Sequence, residues 1–181
     1  GTLRRGSRAG PLCSGMTARQ VRVAILNVGD PEEDRERMTS ALSVLHAELE
    51  RGPFQEIGYH VSPGEQALLR ARLRIWCEAD PAAADVILTC GGVGLGLRDR
   101  MPEATAEVVD RHLPGIPDLI RLAALRHDPA LAFLRLEAGI RRQTIVINLP
   151  GDAASLGRCL PALLPHLPAA VRELQQASSA V

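Results

Sequence analysis

The sequence predicts an α/β protein, a three-layer α/β/α sandwich around a mostly parallel sheet. Short apolar runs alternate along the chain with longer segments in which apolar residues recur at helical spacing. Such alternation is typical of parallel strands joined by helical crossovers, because these connections are too long for hairpins. The run at residues 85–89 is apolar on both faces, as a central strand covered by two helical layers is.

The individual elements follow from turn residues and apolar periodicity. Gly29-Asp30-Pro31 interrupts the pattern after the first apolar run, and Pro102 suits the first turn of a helix, where its missing N–H is not needed. The predicted elements are, in chain order, a strand at 21–27, a helix ending near 51, a strand at 57–61, a helix that includes 68–76, a strand at 85–89, a helix that opens at Pro102, a helix at 115–127, a hairpin from 134 followed by a buried strand at 144–148, and a helical segment from 156 to about 176 that is broken near Pro165 and Pro168.

One globular domain is predicted over residues 16–181. With 181 residues, of which 46% are hydrophobic, the chain is long enough to bury a core. Residues 1–15 are rich in glycine, serine and arginine and show no periodicity. They are therefore interpreted as a disordered arm or an expression remnant and are left out of the fold prediction.

Composition argues against several classes of function. A formal net charge of zero gives no overall attraction to nucleic acid or to anionic membranes, and an aromatic content of 2% leaves little for base stacking. No apolar run reaches the ~18 residues that a membrane span needs. The absence of lysine excludes a Schiff base and a P-loop lysine. The four cysteines and five histidines lack metal-ligand spacing, and we expect a reducing, cytoplasmic environment.

Two glycine-containing loops follow apolar strands, at residues 89–99 and 148–152. Parallel strands end at one edge of a sheet, so both loops are expected at the carboxyl edge, where open α/β folds bind ligands. The four glycines within residues 91–96 allow positive φ and close approach to a ligand, and successive N–H groups there can bind an anion. A tight turn is the alternative for the first loop, and the second loop alone is an ordinary strand-to-helix turn.

Side chains beside these loops each have two interpretations. Asp99, next to Arg98, could hold Mg²⁺ at a phosphate site, or it could cap the following helix. Asp30 follows the first strand and suits a turn and a binding role equally. Cys90 could be a nucleophile, but no histidine lies near it in sequence, so a buried small side chain is favoured.

The loops and their flanking residues resemble a known family. Residues 89–94 read TCGGVG and residues 98–105 read RDRMPEAT, which resembles the signature T-x-G-G-[TV]-G followed by R-D-x-T-P-E-A-T. This signature is typical of molybdopterin-binding proteins of the MoaB/Mog type, which also occur as the G domains of gephyrin and plant Cnx proteins. Residues 113–115 and 139–151 match later parts of the pattern, and the resemblance covers roughly residues 21–167.

The resemblance implies a Rossmann-like α/β fold and a commonly trimeric protein that acts late in molybdenum-cofactor synthesis. Mog-type members use Mg²⁺ and ATP to adenylylate molybdopterin, releasing pyrophosphate. By this resemblance, Asp99 is the catalytic, Mg²⁺-associated aspartate, and Glu65 is a candidate second metal ligand. The residues that the resemblance implies for substrate binding are Asp30, Gly91, Gly92, Val93, Gly94, Arg98, Pro102, Glu103, Pro150, Gly151 and Asp152.

Several positions depart from the family pattern and leave the activity open. The departing residues are Gly64 in place of a second aspartate, Met101 in place of a helix-capping threonine, Leu134 in place of a serine, and Asp152 in place of a neutral residue.

Three hypotheses about the function follow. The first is Mg²⁺- and ATP-dependent adenylylation of molybdopterin, the second is a non-catalytic molybdopterin-binding carrier of MoaB type, and the third is a structural trimer whose glycine loops are only turns.

Overall fold

The computed structural model describes residues 19–80 and 83–179. Within these ranges, six strands form one sheet, with α-helices on both sides of it. The strands are β1 Val21–Val28, β2 Phe54–Ser62, β3 Val86–Cys90, β4 Arg111–His112, β5 Ala138–Arg141 and β6 Thr144–Leu149. The helices are α1 Arg35–Leu49, α2 Gln66–Glu78, α3 Met101–Val108, α4 Gly115–Leu125, α5 Ala153–Leu163 and α6 Leu167–Ser179. The arm predicted at residues 1–15 lies outside the described residues.

The sheet has the strand order β2-β1-β3-β6-β5-β4. Its first four strands run parallel, whereas β5 is antiparallel to β6, and β4 is antiparallel to β5. Helices α1, α4 and α5 pack together, and α2 packs against α3. The predicted α/β/α sandwich with a mostly parallel sheet is therefore confirmed. None of these helices, within the residues described, is both long and apolar enough to span a membrane.

The central strands supply most of the core. Every residue of β3 and β6 is buried, as is every residue of β1 except Arg22. Burial on both faces explains why these strands read as continuous apolar runs. Moving any of these strands would expose its buried side chains to water, so the positions of the strand ends are fixed by the core.

A buried polar side chain ties the end of β6 to its neighbours. Asn148 donates from Nδ2 to the hydroxyl oxygens of Thr89 (3.0 Å) and Thr105 (2.8 Å). Its Oδ1 accepts from the backbone N–H of Glu137 at 3.2 Å. Because buried polar groups are costly when unpaired, these bonds hold β6, β3 and α3 in one arrangement at the carboxyl edge.

The structure differs from the prediction at the edges of the sheet. Strand β2 spans nine residues rather than the predicted 57–61. The sequence underestimates its length because only Ser62 in it is buried, so the strand lacks a continuous apolar run. The two exposed residues of β4 give no apolar signal at all. The predicted hairpin does not precede the buried strand: β6 is itself the second arm, paired with β5 across a turn at Arg142, whose φ is 53°.

The C-terminal helical segment begins and breaks differently from the prediction. Helix α5 starts at Ala153 rather than 156 and contains Pro161. A 3₁₀ turn at Leu164–His166 produces the expected break near Pro165. The predicted break at Pro168 is wrong, because this proline lies in the first turn of α6, where no N–H is needed.

Truncating a central-strand side chain is expected to lower stability strongly. Leu88 in β3 is fully buried, so Leu88→Ala removes packed methyl groups and leaves a cavity, at a cost of about 2–5 kcal/mol in the free energy of unfolding. Urea denaturation measures the change. The control is Leu122→Ala on α4, where the side chain is 70% exposed and an effect within about 0.5 kcal/mol is expected. Equal losses in the two variants would contradict the assignment of the core.

Candidate functional site

A cleft of about 1080 Å³ opens at the carboxyl ends of the parallel strands. Its walls are the loops that follow β1, β2, β3 and β6, together with the first turns of α1 and α2 and Leu134. The two glycine turns lie against each other, since a Cβ placed on Gly151 would lie 2.9 Å from the Cα of Gly91. The topology thus brings both glycine-containing loops into one cleft.

Most of the residues proposed from the sequence line this cleft. They are Asp30, Glu65, Gly91, Gly92, Val93, Gly94, Arg98, Asp99, Gly151 and Asp152. Three others do not line it. Pro102 lies in the first turn of α3, Glu103 pairs with Arg135, and Pro150 is buried. For these three the structure shows a packing or ion-pair role.

The loop after β3 exposes backbone donors. Gly91 and Gly92 adopt positive φ, 89° and 68°, which only glycine does readily. The N–H groups of Gly92, Val93 and Gly94 donate no hydrogen bond to any residue that the structure describes. Consecutive unpaired N–H groups are suited to an anion.

The other glycines of this loop make room for Asp99. A Cβ on Gly94 or on Gly96 would lie 2.8 Å from Oδ2 of Asp99, closer than side-chain contacts allow. Neither glycine has a positive φ. A side chain at either position would displace the carboxylate of Asp99 from this turn, so the effect of these two glycines is steric and differs from the conformational requirement at Gly91 and Gly92.

Asp99 closes a tight turn in the same loop. Its Oδ2 accepts from the N–H of Gly96 at 2.8 Å, and its own N–H donates to the carbonyl of Gly96 at 3.1 Å. The helix-capping interpretation is wrong, because Arg100 occupies the N-cap position of α3 and no side chain caps that helix. Oδ1 of Asp99 accepts no hydrogen bond from the described residues, which leaves one carboxylate oxygen available to a ligand.

Arg135 holds this loop in place through hydrogen bonds to its backbone. Its Nε donates to the carbonyl of Gly94 at 2.9 Å, its Nη2 donates to the carbonyl of Asp99, and its Nη1 pairs with Glu103. Burial acts to raise the pKa of Glu103, but the hydrogen bond and charge of Arg135 outweigh it, so the pKa lies below its usual value and the pair stays charged. Sequence analysis missed Arg135, because nothing local signals a contact with residues about 40 positions earlier.

Arg37 links the end of β1 to the loop after β6. It donates to the carbonyls of Gly151 and Val28, each at 3.0 Å, and to Asp34 at 3.4 Å. The N–H of Asp30 lowers the pKa of Asp34, partial burial acts in the opposite direction, and Arg37 lowers it further. The net pKa is below the ordinary value, so Asp34 is ionised beside Arg37. This arginine was also missed in the sequence, where it is one charged residue of a helix.

Two of the lining carboxylates shape the backbone around them. Asp30 accepts from the N–H groups of Glu32 (2.8 Å) and Glu33 (3.2 Å), which is the turn interpretation of this residue. Asp152 accepts from the N–H of Ser155 at 2.8 Å and caps α5. Both still line the cleft, so the local role and a role toward a ligand are compatible.

Gly64 allows the loops after β2 and β3 to touch. A Cβ at this position would overlap with the carbonyl oxygen of Arg98. Any larger side chain, including the aspartate that is usual in the family pattern, would therefore require the loop carrying Arg98 and Asp99 to move. The neighbouring Glu65 is exposed and lines the cleft, and its carboxylate makes no hydrogen bond to a described residue.

The cleft carries charges of both signs, with acidic residues in excess. Six carboxylates line it, against the three arginines Arg37, Arg98 and Arg100. No group of three or more acidic, histidine or cysteine side chains is arranged to hold a metal ion, as far as the described residues go. Mg²⁺ that binds together with phosphates needs only one or two protein carboxylates, and Asp99 with its unpaired oxygen fits that mode.

Cys90 belongs to the core rather than to the cleft. It is fully buried at the end of β3, and burial raises the pKa of its thiol far above the usual range. A thiol without thiolate character is a poor nucleophile. The structure therefore supports the interpretation of Cys90 as a small buried side chain.

The fold and the cleft define an open α/β protein with a candidate ligand-binding site at the carboxyl edge of its sheet. Residues 24–169 match the family model described as "Probable molybdopterin binding domain". This match covers most of the chain, and the chain belongs to the molybdopterin-binding domain family.

Relatives with related names match much of the chain. A molybdopterin adenylyltransferase from Helicobacter pylori J99 is 38% identical over 113 residues, which is 62% of this chain and 63% of that protein. One from Escherichia coli K12 is 35% identical over 126 residues, 69% of this chain and 58% of that protein. The chain thus spans less than two thirds of these relatives. The crystal structure of the molybdopterin biosynthesis enzyme MoaB from Thermus thermophilus matches with a TM-score of 0.77 and 39% identity, covering 86% of this chain and 96% of that one.

Removing the guanidinium of Arg135 is expected to release the loop that carries Asp99. Arg135→Met breaks the bonds to the carbonyls of Gly94 and Asp99 and leaves Glu103 without its partner, at a cost of about 1–3 kcal/mol in the free energy of unfolding. Hydrogen exchange of the amides at 94–100 should be faster in this variant. Arg158→Met, at an exposed position on α5, is the control and should change neither quantity. Unchanged exchange in Arg135→Met would show that Arg135 does not hold the loop.

Proposed function

We propose that the chain is a molybdopterin adenylyltransferase that uses ATP and Mg²⁺. In this reaction, an oxygen of the phosphate group of molybdopterin attacks the α-phosphorus of ATP. The bond between that phosphorus and the bridging oxygen to the β-phosphate breaks, and pyrophosphate leaves. Such transfers depend mainly on positioning the two phosphates and on neutralising their charge.

The arrangement of the loop after β3 carries this proposal. The unpaired N–H groups of Gly92, Val93 and Gly94 and the available Oδ1 of Asp99 belong to one short loop that lines the cleft. The N–H groups suit phosphate oxygens, and the carboxylate oxygen suits a divalent cation. Both kinds of group are needed where two anionic phosphates must approach each other. Membership of the molybdopterin-binding domain family supports the choice of substrate.

Asp99 is the residue that would hold Mg²⁺, with Glu65 as a candidate second ligand on the loop opposite. When bound, the ion supplies positive charge that offsets the phosphates of ATP. The chain itself fixes the acid in place, because Gly96 and Arg135 hold the Asp99 turn by side chain and by backbone. The acidic character of the cleft favours a cation-assisted mode over direct binding of a bare polyphosphate.

Two observations favour a carrier that binds molybdopterin without adenylylating it. Gly64 removes an acidic side chain from the family pattern, and Oδ2 of Asp99 is already engaged by Gly96. Both reduce the number of carboxylate oxygens that can reach a cation. We also propose a cytoplasmic location, on the basis of the scattered cysteines, and a trimeric assembly, on the basis of the family resemblance. Light scattering on the purified chain measures the assembly.

Replacing Asp99 is expected to abolish most of the turnover. Asp99→Asn keeps the size of the side chain but removes its charge, and the rate of pyrophosphate release should fall about 10²- to 10³-fold, as for other electrostatic groups in active sites. Pyrophosphate and adenylylated pterin are measured with molybdopterin, ATP and Mg²⁺. Asp118→Asn, an exposed residue of α4 outside the cleft, is the matched control and should retain full activity.

The same assay distinguishes the alternatives. Turnover that needs Asp99 supports the enzyme. Tight binding of molybdopterin by the wild-type chain without pyrophosphate release identifies a carrier. Neither binding nor turnover would leave only a structural role, and the proposed function would be wrong.

A further inference from the structure

Arg37 is an anchored cation in the wall of the cleft. A guanidinium has five N–H donors, and in Arg37 three of them donate to Val28, Asp34 and Gly151. Two N–H groups are therefore left without a partner among the described residues. The side chain is 31% exposed, so it is both held in place and accessible from the cleft.

The guanidinium lies at the junction of the two glycine turns. A Cβ on Gly151 would lie 2.7 Å from Nη1 of Arg37, and a Cβ on Gly91 would lie 3.2 Å from the same atom. The space that these glycines leave is thus taken up by the arginine. The charge is placed beside the loop whose N–H groups are unpaired.

The other two arginines of the cleft are held less firmly. Arg100 is exposed and its Nε donates to the carbonyl of Leu97 at 3.1 Å, and Arg98 is exposed with no hydrogen bond from its guanidinium to a described residue. Among the arginines lining the cleft, Arg37 has the lowest exposure and the most fixed geometry. A fixed guanidinium binds an oxyanion without first having to be ordered, which favours affinity.

We propose that Arg37 is a phosphate ligand, acting with the N–H groups of Gly92 to Gly94. Its two remaining N–H groups donate to the oxygens of a phosphate, while its other three keep the glycine turns together. This inference rests on the proposed function for the identity of the phosphate compounds, ATP or molybdopterin. It adds to that function a binding residue on α1, a helix to which sequence reasoning had assigned no role.

Inorganic pyrophosphate is the probe, because it carries phosphate groups but needs no turnover to be detected. Titration calorimetry on the full chain, with Mg²⁺ present, compares the wild type with Arg37→Gln, Arg37→Lys and Arg35→Gln. Loss of a charge-assisted hydrogen-bond donor should weaken binding about 10- to 100-fold in Arg37→Gln. Arg37→Lys keeps a cation, so its affinity should stay within several-fold of the wild type. Arg35, exposed on the same helix and outside the cleft, is the matched control and should bind as the wild type does.

Several results would overturn the inference. Wild-type affinity in Arg37→Gln would show that the guanidinium does not contact phosphate. Equal losses in Arg37→Gln and Arg37→Lys would assign the residue to bridging the turns only, and melting temperatures show whether either variant is misfolded. A wild-type chain that does not bind pyrophosphate would also exclude the site.

The outcome is separable from that of the proposed function. Loss of pyrophosphate binding in Arg37→Gln, together with no adenylylation by the wild type, would keep the phosphate site and reject the enzyme. Adenylylation by the wild type, with unchanged pyrophosphate binding in Arg37→Gln, would keep the enzyme and reject Arg37 as a ligand.

Discussion

The parallel pairing of β1, β3 and β6 is the constraint on which the site depends. In the observed register, Asn27 lies opposite Cys90, and Cys90 lies opposite Leu149. Three buried strands therefore end at the same level, and the loops that leave them have to start side by side. No loop sequence could bring the two glycine turns together if the strands ended at different heights. The position of the cleft is thus a property of the backbone hydrogen bonds in the sheet.

The loops lie beyond the sheet and need another source of order. Arg37 and Arg135 provide it by donating to main-chain carbonyls at the end of β1, at Val28, and in the loops after β3 and β6, at Gly94 and Gly151. A planar guanidinium can reach two or three acceptors at fixed angles, which an ammonium group does less well. The two arginines therefore act as local substitutes for secondary structure. They fix the loops while leaving the N–H groups of the first loop available.

Much of the fold was predictable because its signals are local. A strand buried on both faces reads as an apolar run, and a glycine cluster directly after it marks a turn at the sheet edge. Strand β2 was predicted too short and the two-residue β4 was missed, because both lie at the edges of the sheet and between them contain only one buried residue, Ser62. The contacts of Arg37 with Gly151 and of Arg135 with Gly94 span 114 and 41 positions. Such contacts exist only after folding, so no spacing of residues in the sequence predicts them.

The loss of an acid at position 64 and the closed position of the Asp99 loop have one cause. Because Gly64 has no Cβ, the carbonyl of Arg98 can pack directly on the loop after β2. An aspartate there would add a carboxylate and at the same time push Asp99 outward. The chain therefore exchanges one acidic ligand for a more tightly packed loop. In the proposed reaction the role of metal ligand therefore falls mainly on Asp99, whose Oδ2 stabilises the turn through Gly96 while its Oδ1 accepts no hydrogen bond from a described residue.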